Sequence, residues 1–123
     1  MELHASSEDY LEAILVLNQK KGNVRSADIA RYMEYSRASV SYAVSVLKKG
    51  GFLLMDINGV LRLTHTGCKI ATEIYDRHCF FSEQLIKIGV NPQQAEKDAC
   101  RMKHAVSQES FEKLKQMIEK KDR

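Results

Sequence analysis

Hydrophobic positions recur along this chain at two periods, and the places where the period changes divide it into elements. In the first stretch Leu11, Ile14 and Leu15 fall at i, i+3 and i+4, the stripe of an amphipathic helix over residues 6–20. Ser6-Ser7-Glu8-Asp9 would start it, offering hydroxyls and acids to orphan amides and the positive dipole end, and Lys20-Lys21-Gly22 would stop it. Asp9 and Glu12 stand one turn apart, away from the apolar stripe. A short helix follows over Ala27–Met33, capped by Ser26, and then a longer one from a Ser36 cap to about Lys49. Val40, Val44 and Leu47 give this second helix its buried stripe, which leaves Arg37, Ser39, Ser41 and Tyr42 for other faces. Short helix, turn and longer helix make a helix-turn-helix pattern.

After Gly50-Gly51 the period shortens. Residues 52–55 and 60–63 read as strands, joined by Asp56-Ile57-Asn58-Gly59 with the Asn-Gly pair that a tight hairpin prefers. A hairpin directly behind a helix-turn-helix is a wing, and the order of these parts is more specific than any one of them. The expected fold is mainly α with a small β-hairpin: a winged helix-turn-helix followed by a helical half.

That helical half returns to the long period. Ile70, Ile74, His78, Phe81, Leu85 and Ile88 line one seam of a helix over about residues 67–88, with Thr64 or Thr66 as its cap. Gly89 stops it, Asn91-Pro92 starts a fifth helix to about Ala105, and Ser107 caps a sixth in which Phe111, Leu114 and Ile118 share a face. The fifth helix carries Asp98-Ala99-Cys100-Arg101-Met102-Lys103-His104, in which a thiol and an imidazole lie at i, i+4 and leave the same side. A structural pair, a partly buried Cys beside a surface His, accounts for that spacing as well as metal ligation does. His78 in its apolar seam is likewise either a core histidine or a ligand.

Composition narrows the classes. At 123 residues and 44% hydrophobic the chain can bury a core, and its net charge of +3 permits nucleic-acid binding without requiring it. Three cysteines without a CxxC pair fit a reducing compartment, with Cys68 and Cys79 as small packing residues. No signal peptide or membrane span is legible, so a cytoplasmic protein with no membrane partner is expected. A metal-dependent hydrolase would need a phosphate loop, nucleophile elbow or HExxH that the sequence lacks, so no enzyme is expected.

Taken together, Ser7-Glu8-Asp9-Tyr10-Leu11-Glu12, the helix-turn-helix, Leu63-Thr64-His65-Thr66-Gly67, Arg77-His78 and Asp98-Ala99-Cys100-Arg101 with His104 resemble the diphtheria-toxin-repressor family of metal-dependent regulators. The resemblance covers nearly the whole chain and is to the short form without an SH3-like domain. It implies a DNA-binding domain at 1–64 and a dimerisation and metal-binding domain at 65–123. It also implies a homodimer on a palindromic operator in double-stranded DNA, and repression switched by a divalent transition metal, Fe²⁺, Mn²⁺ or Zn²⁺. Carried over position by position, the metal ligands are Asp9, Glu12, His78, Cys100 and His104, linking winged helix and dimer core. The DNA-facing set is Ser36, Arg37, Ser39, Ser41 and Tyr42.

The chain departs from that family at Lys103, where a Glu ligand is the rule, and at Ser82, which replaces an ancillary acid. A protonated ammonium has no lone pair to give a metal. Either Lys103 snorkels to solvent beside a single ion, or it reaches Asp9 or Glu12 as a fixed cation in place of one. The alternative function is therefore a metal-independent or thiol-redox-controlled winged-helix regulator, with Cys100 or Cys79 as the sensing thiol.

Overall fold

The computed structural model describes residues 3–121. Its elements run α1 (Ala5–Lys21), α2 (Ser26–Met33), α3 (Arg37–Lys49), β1 (Leu53–Met55), β2 (Leu61–Leu63), α4 (His65–Lys87), α5 (Pro92–Ala105) and α6 (Gln108–Lys121). Two compact units divide the chain, Met1–Thr72 and Glu73–Arg123, and α4 is the element that begins in the first and continues in the second.

In the first unit the apolar stripes read from the sequence meet in one core. Leu11, Ile14, Ile29, Val40, Leu47, Leu53 and Leu61 are almost wholly shielded from water, and α1, α2, α3 and the hairpin pack through them. The strands pair antiparallel in the register Leu53↔Leu63, Leu54↔Arg62 and Met55↔Leu61. They are one residue shorter than the apolar runs because Phe52 and Val60 have other duties. The Phe52 amide donates to Leu47 at the end of α3, and its carbonyl accepts from the Thr64 amide; Val60 exchanges both bonds with the Asp56 backbone and carboxylate. An isolated bridge adds Val24, whose carbonyl accepts from the Leu61 amide at 2.7 Å.

Two helix starts differ from the expectation. The chain enters α1 at Ala5 behind His4, with no side-chain cap, so the hydroxyls of Ser6 and Ser7 already lie inside the helix. At α2 the cap is supplied by Asp28 rather than Ser26: its Oδ2 accepts from the Arg25 amide at 2.9 Å. The Asp28 Oδ1 takes Lys21 at 2.6 Å and Arg31 at 2.7 Å. These charge-assisted bonds, Lys21 first and the Arg25 amide next, hold the carboxyl down to about 2. The other caps are as read: Ser36 accepts from Ser39, Asn91 from Gln93 and Ser107 from Ser110.

The wing is locked to the start of α4. Thr64 Oγ1 donates to the Gly51 carbonyl at 2.7 Å and accepts from the Gly67 amide at 3.1 Å. A Cβ at position 67 would sit 1.9 Å from the Phe52 carbonyl oxygen, so only glycine lets the helix approach the strand so closely.

The second unit has a smaller interior. Phe81, Ala99 and Phe111 are buried, with Phe80, Met102 and Val106 packed on them, and Phe80 meets Phe111 edge-on with ring centres 5.3 Å apart. Ala95 and Ala99 have no exposed surface; their small side chains give α5 a face that packs closely. Along the expected seam Ile74 and Phe81 are buried, but Ile88 lies past the end of α4 and is 78% exposed.

Candidate functional site

His78, Glu96 and Cys100 converge in the second unit. His78 leaves α4, while Glu96 and Cys100 are at i, i+4 on α5 and so share one of its faces. The imidazole bridges the other two: Nε2 lies 2.7 Å from Glu96 Oε1, and Nδ1 lies 3.8 Å from Cys100 Sγ. One donor atom from each of the three falls within 4.8 Å of the others. Donors around a tetrahedral ion at ordinary bond lengths are about 3.5 Å apart; because an imidazole gives one ion a single nitrogen, an ion here would take the place of the hydrogen bond on that side of the ring. The donor set is chemically apt as well, since nitrogen, oxygen and thiolate sulfur together favour a borderline ion. The histidine side chain is 15% exposed and the glutamate 57%, which leaves the cluster open to solvent on the carboxylate side.

Neighbouring residues fix this geometry. Arg77, next to His78 and buried, donates from Nη1 to the Lys103 carbonyl at 3.1 Å. Its Nε and Nη2 donate to Gln108 Oε1 at 3.3 and 2.8 Å. A single guanidinium thus binds α4 to both ends of the α5–α6 turn, and the Phe81, Ala99 and Phe111 contact fixes the same pair of helices from inside. Rotation of α4 against α5 would break both.

Of the five residues expected as ligands, the structure brings together His78 and Cys100. His104 follows on α5, half-buried, one turn beyond Cys100; Asp9 and Glu12 stand half-buried on α1 in the first unit. Of the two places expected for Lys103, solvent or the carboxylates of Asp9 or Glu12, the first is corrected: the residue is only 3% exposed, on the buried side of α5 with Ala95 and Ala99. Glu96 was missed. Its signal was present in the spacing, because Glu96 precedes Cys100 by the same four residues by which His104 follows it, and only contact with His78 singles it out.

In the first unit α3 turns Val40, Val44 and Leu47 into the core and leaves Arg37, Ser39, Ser41 and Tyr42 exposed, Tyr42 at 74%. Ser36 caps the helix and also donates to Ser39 Oγ at 2.9 Å, so both hydroxyls are held at its start. A convex helix face of small polar groups, one guanidinium and one phenol matches what a major groove admits.

Both halves of the chain match known proteins. Residues 2–56 match the model of the iron dependent repressor N-terminal DNA binding domain, and residues 64–123 match that of the iron dependent repressor metal binding and dimerisation domain. An HTH-type transcriptional regulator MntR of Shouchella clausii is 32% identical over 114 residues, spanning 93% of this chain and 80% of the relative. The transcriptional regulator MntR of Salmonella typhimurium is 34% identical over 105 residues, spanning 85% of this chain and 67% of the relative. Among solved structures, that of the manganese regulator SloR superposes with a TM-score of 0.81 at 25% identity over 92% of this chain; the chain spans about half, 53%, of that protein's length.

Proposed function

The chain belongs to the iron-dependent repressor family, and from that premise we propose that it represses transcription by gripping a palindromic operator as a homodimer when a divalent transition metal is bound. The observation that carries the reading is the convergence of His78, Glu96 and Cys100 in the half of the chain that matches a metal-binding and dimerisation domain. These three side chains hold the ion; Asp9, Glu12 and His104 are the further donors that the resemblance implies. A bound ion supplies a multidentate tie that the side chains' own hydrogen bonds do not match. Glu96 and Cys100 present their donors from one face of α5, His78 brings α4 to them, and Arg77 keeps the two helices in register. With a thiolate in the set, Zn²⁺ or Fe²⁺ suits the site better than Mn²⁺. The metal-binding family model weighs against the metal-independent and thiol-redox alternatives.

On the DNA side α3 enters the major groove, with Ser36, Arg37, Ser39, Ser41 and Tyr42 toward the duplex. Arg37 is placed for a phosphate or a guanine, the two partners its fork fits. A two-fold dimer sets two such helices about 34 Å apart on successive grooves. The protein works in the cytoplasm as a regulator without catalysis; no helix among the described residues is long and apolar enough to cross a membrane.

The test uses a duplex selected from a random pool by the metal-loaded protein, with binding followed by fluorescence anisotropy. Chelation should abolish binding, and Zn²⁺ or Fe²⁺ should restore it at lower free concentration than Mn²⁺. Affinity indifferent to chelator and metal would overturn the reading.

A further inference from the structure

An open groove of about 410 Å³ lies in the first unit, between α1, β2 and the first turn of α4. Its apolar lining includes Leu15 from α1 and Leu63 from β2, which are only half-buried although their neighbours Ile14 and Leu61 are fully covered. Three polar side chains line it too: Asn18 from α1, Asn23 from the turn that follows, and Arg62 from β2, with the exposed thiol of Cys68 beside them. The two side-chain amides and the guanidinium make no hydrogen bond or ion pair among the described residues, whereas Arg25, Arg31 and Arg77 are each engaged. Water ordinarily satisfies exposed polar groups. What marks these is their convergence on one concave surface that has an apolar wall and no acidic residue in its lining.

We propose that this groove binds a small aliphatic monocarboxylate. Its volume falls within the roughly 300–1,000 Å³ of small-molecule sites, and an apolar wall with a few convergent polar groups is their usual lining. Charge selects the ligand. Arg62 is the cation of the lining, and its planar fork fits a carboxylate through two parallel hydrogen bonds. One guanidinium balances one negative charge, so a phosphate dianion would keep a second charge with only neutral amides to meet it. An amine or amino acid would bring an ammonium to a lining that holds no carboxylate. The Asn18 and Asn23 amides add N–H donors for the carboxylate oxygens, while an alkyl chain laid on Leu15 and Leu63 removes their remaining apolar surface from water. The site uses none of the residues of the His78, Glu96 and Cys100 cluster and none of the DNA-facing set on α3. It therefore stands independently of the metal and DNA readings.

The test titrates the full-length, Zn²⁺-loaded protein with hexanoate and follows the backbone amide resonances by NMR. Saturable shifts are expected at Asn18, Asn23, Leu63 and Cys68. Hexanamide, the neutral counterpart, should bind at least about tenfold more weakly, the loss that goes with one charge-assisted hydrogen-bonded pair. Arg62→Gln should lower hexanoate affinity by a similar factor, and Cys68→Phe, which puts a ring into the groove, should abolish binding. Both positions are exposed, so neither change reaches the buried core, and a dispersed amide spectrum verifies that each variant is folded. Equal affinity for hexanoate and hexanamide, or full affinity in Arg62→Gln, would overturn the proposal. Tighter binding of hexyl phosphate would overturn it too, giving the groove to phosphoryl compounds. Hexanoate shifts confined to α5 would give the carboxylate to the bound ion instead, and a titration with no saturable shift in the groove would remove the site.

Discussion

The two units are built on different scales. The first closes an interior that joins three helices and both strands, and its largest apolar side chains are fully covered. The second gathers Phe81, Ala99 and Phe111 in a smaller cluster, with Ile74 and Ala95 also buried, and leaves Ile86, Ile88, Leu114 and Met117 exposed. A DNA reader has to present a fixed surface to a fixed groove, so a continuous core serves it. The second unit matches a metal-binding and dimerisation domain. Exposed aliphatic positions at the end of α4 and on α6 offer a surface that a second copy could cover, and the His78, Glu96 and Cys100 cluster offers donors to an ion. The contrast is between a unit with a continuous core and one with a smaller interior whose candidate metal cluster lies open to solvent.

The largest effect should come from the proposed ligands. Cys100→Ser or Glu96→Ala should lower metal affinity at least about a hundredfold, beyond the loss typical of residues that only support a ligand, as measured by competition with a chromophoric chelator. The protection of α2 and α3 against hydrogen exchange should be unchanged in the same variants. Loss of protection in both units together would break the separation.

Next is Gly67→Ala, aimed at the first unit. The added carbon would meet the Phe52 carbonyl oxygen at 1.9 Å, and backbone on both sides cannot yield cheaply. A destabilisation of about 2–3 kcal/mol is expected, within the range for overpacking a tight contact, read as a lower midpoint in denaturant. Metal affinity of the folded protein should be unaltered, because the cluster lies in the other unit.

The same contrast decides what could be read from the sequence. In the first unit each element carries its own instruction: Val40, Val44 and Leu47 mark the covered face of α3, Ser36 marks its start, and Asn58-Gly59 marks the turn. Local period and turn chemistry therefore recover the winged helix almost to the residue. They fail at the ends where a tertiary partner intervenes, as when Asp28 takes the α2 cap from Ser26, or Phe52 leaves the strand to bond Leu47. The His78, Glu96 and Cys100 cluster depends on which face of α5 meets α4. The sequence reading takes His104 as Cys100's partner and passes over Glu96, whose place beside His78 depends on packing; packing also buries Lys103, whose composition would send it to solvent.

Arg77 tests whether the second unit's register is a property of its own residues. Replacing it with Met keeps the apolar volume but removes the bonds to Lys103 and Gln108, leaving a buried carbonyl with one fewer partner. Metal affinity should fall about tenfold although no ligand is changed, the lower end of what supporting residues contribute. The DNA affinity of fully metal-loaded protein should recover. An unaltered metal affinity would mean that the phenylalanine cluster alone holds α4 to α5.

The smallest expected effect concerns pH and again separates the units. Asp28 has its carboxyl held down to about 2, below the ordinary value of 3.8, first by Lys21, then by the Arg25 amide and Arg31. Because the folded state favours the ionised form, its stabilisation is fully present above the unfolded value and is lost as pH falls from about 4 through about 2. Lys21 and Arg31 are themselves well exposed, at 47% and 76%, so solvent screening limits the gain to about 1 kcal/mol. Asp28→Asn should therefore lose about that much stability at pH 6, and the gap to the unaltered protein should close as pH approaches 2. Chemical denaturation at a series of pH values reads the difference directly. Since Asp28 joins α1 to α2 inside the first unit, the closing gap should appear in probes of α2 and α3 and be absent from exchange protection in α5. A pH-dependent difference in α5 would show that the two units share one cooperative transition.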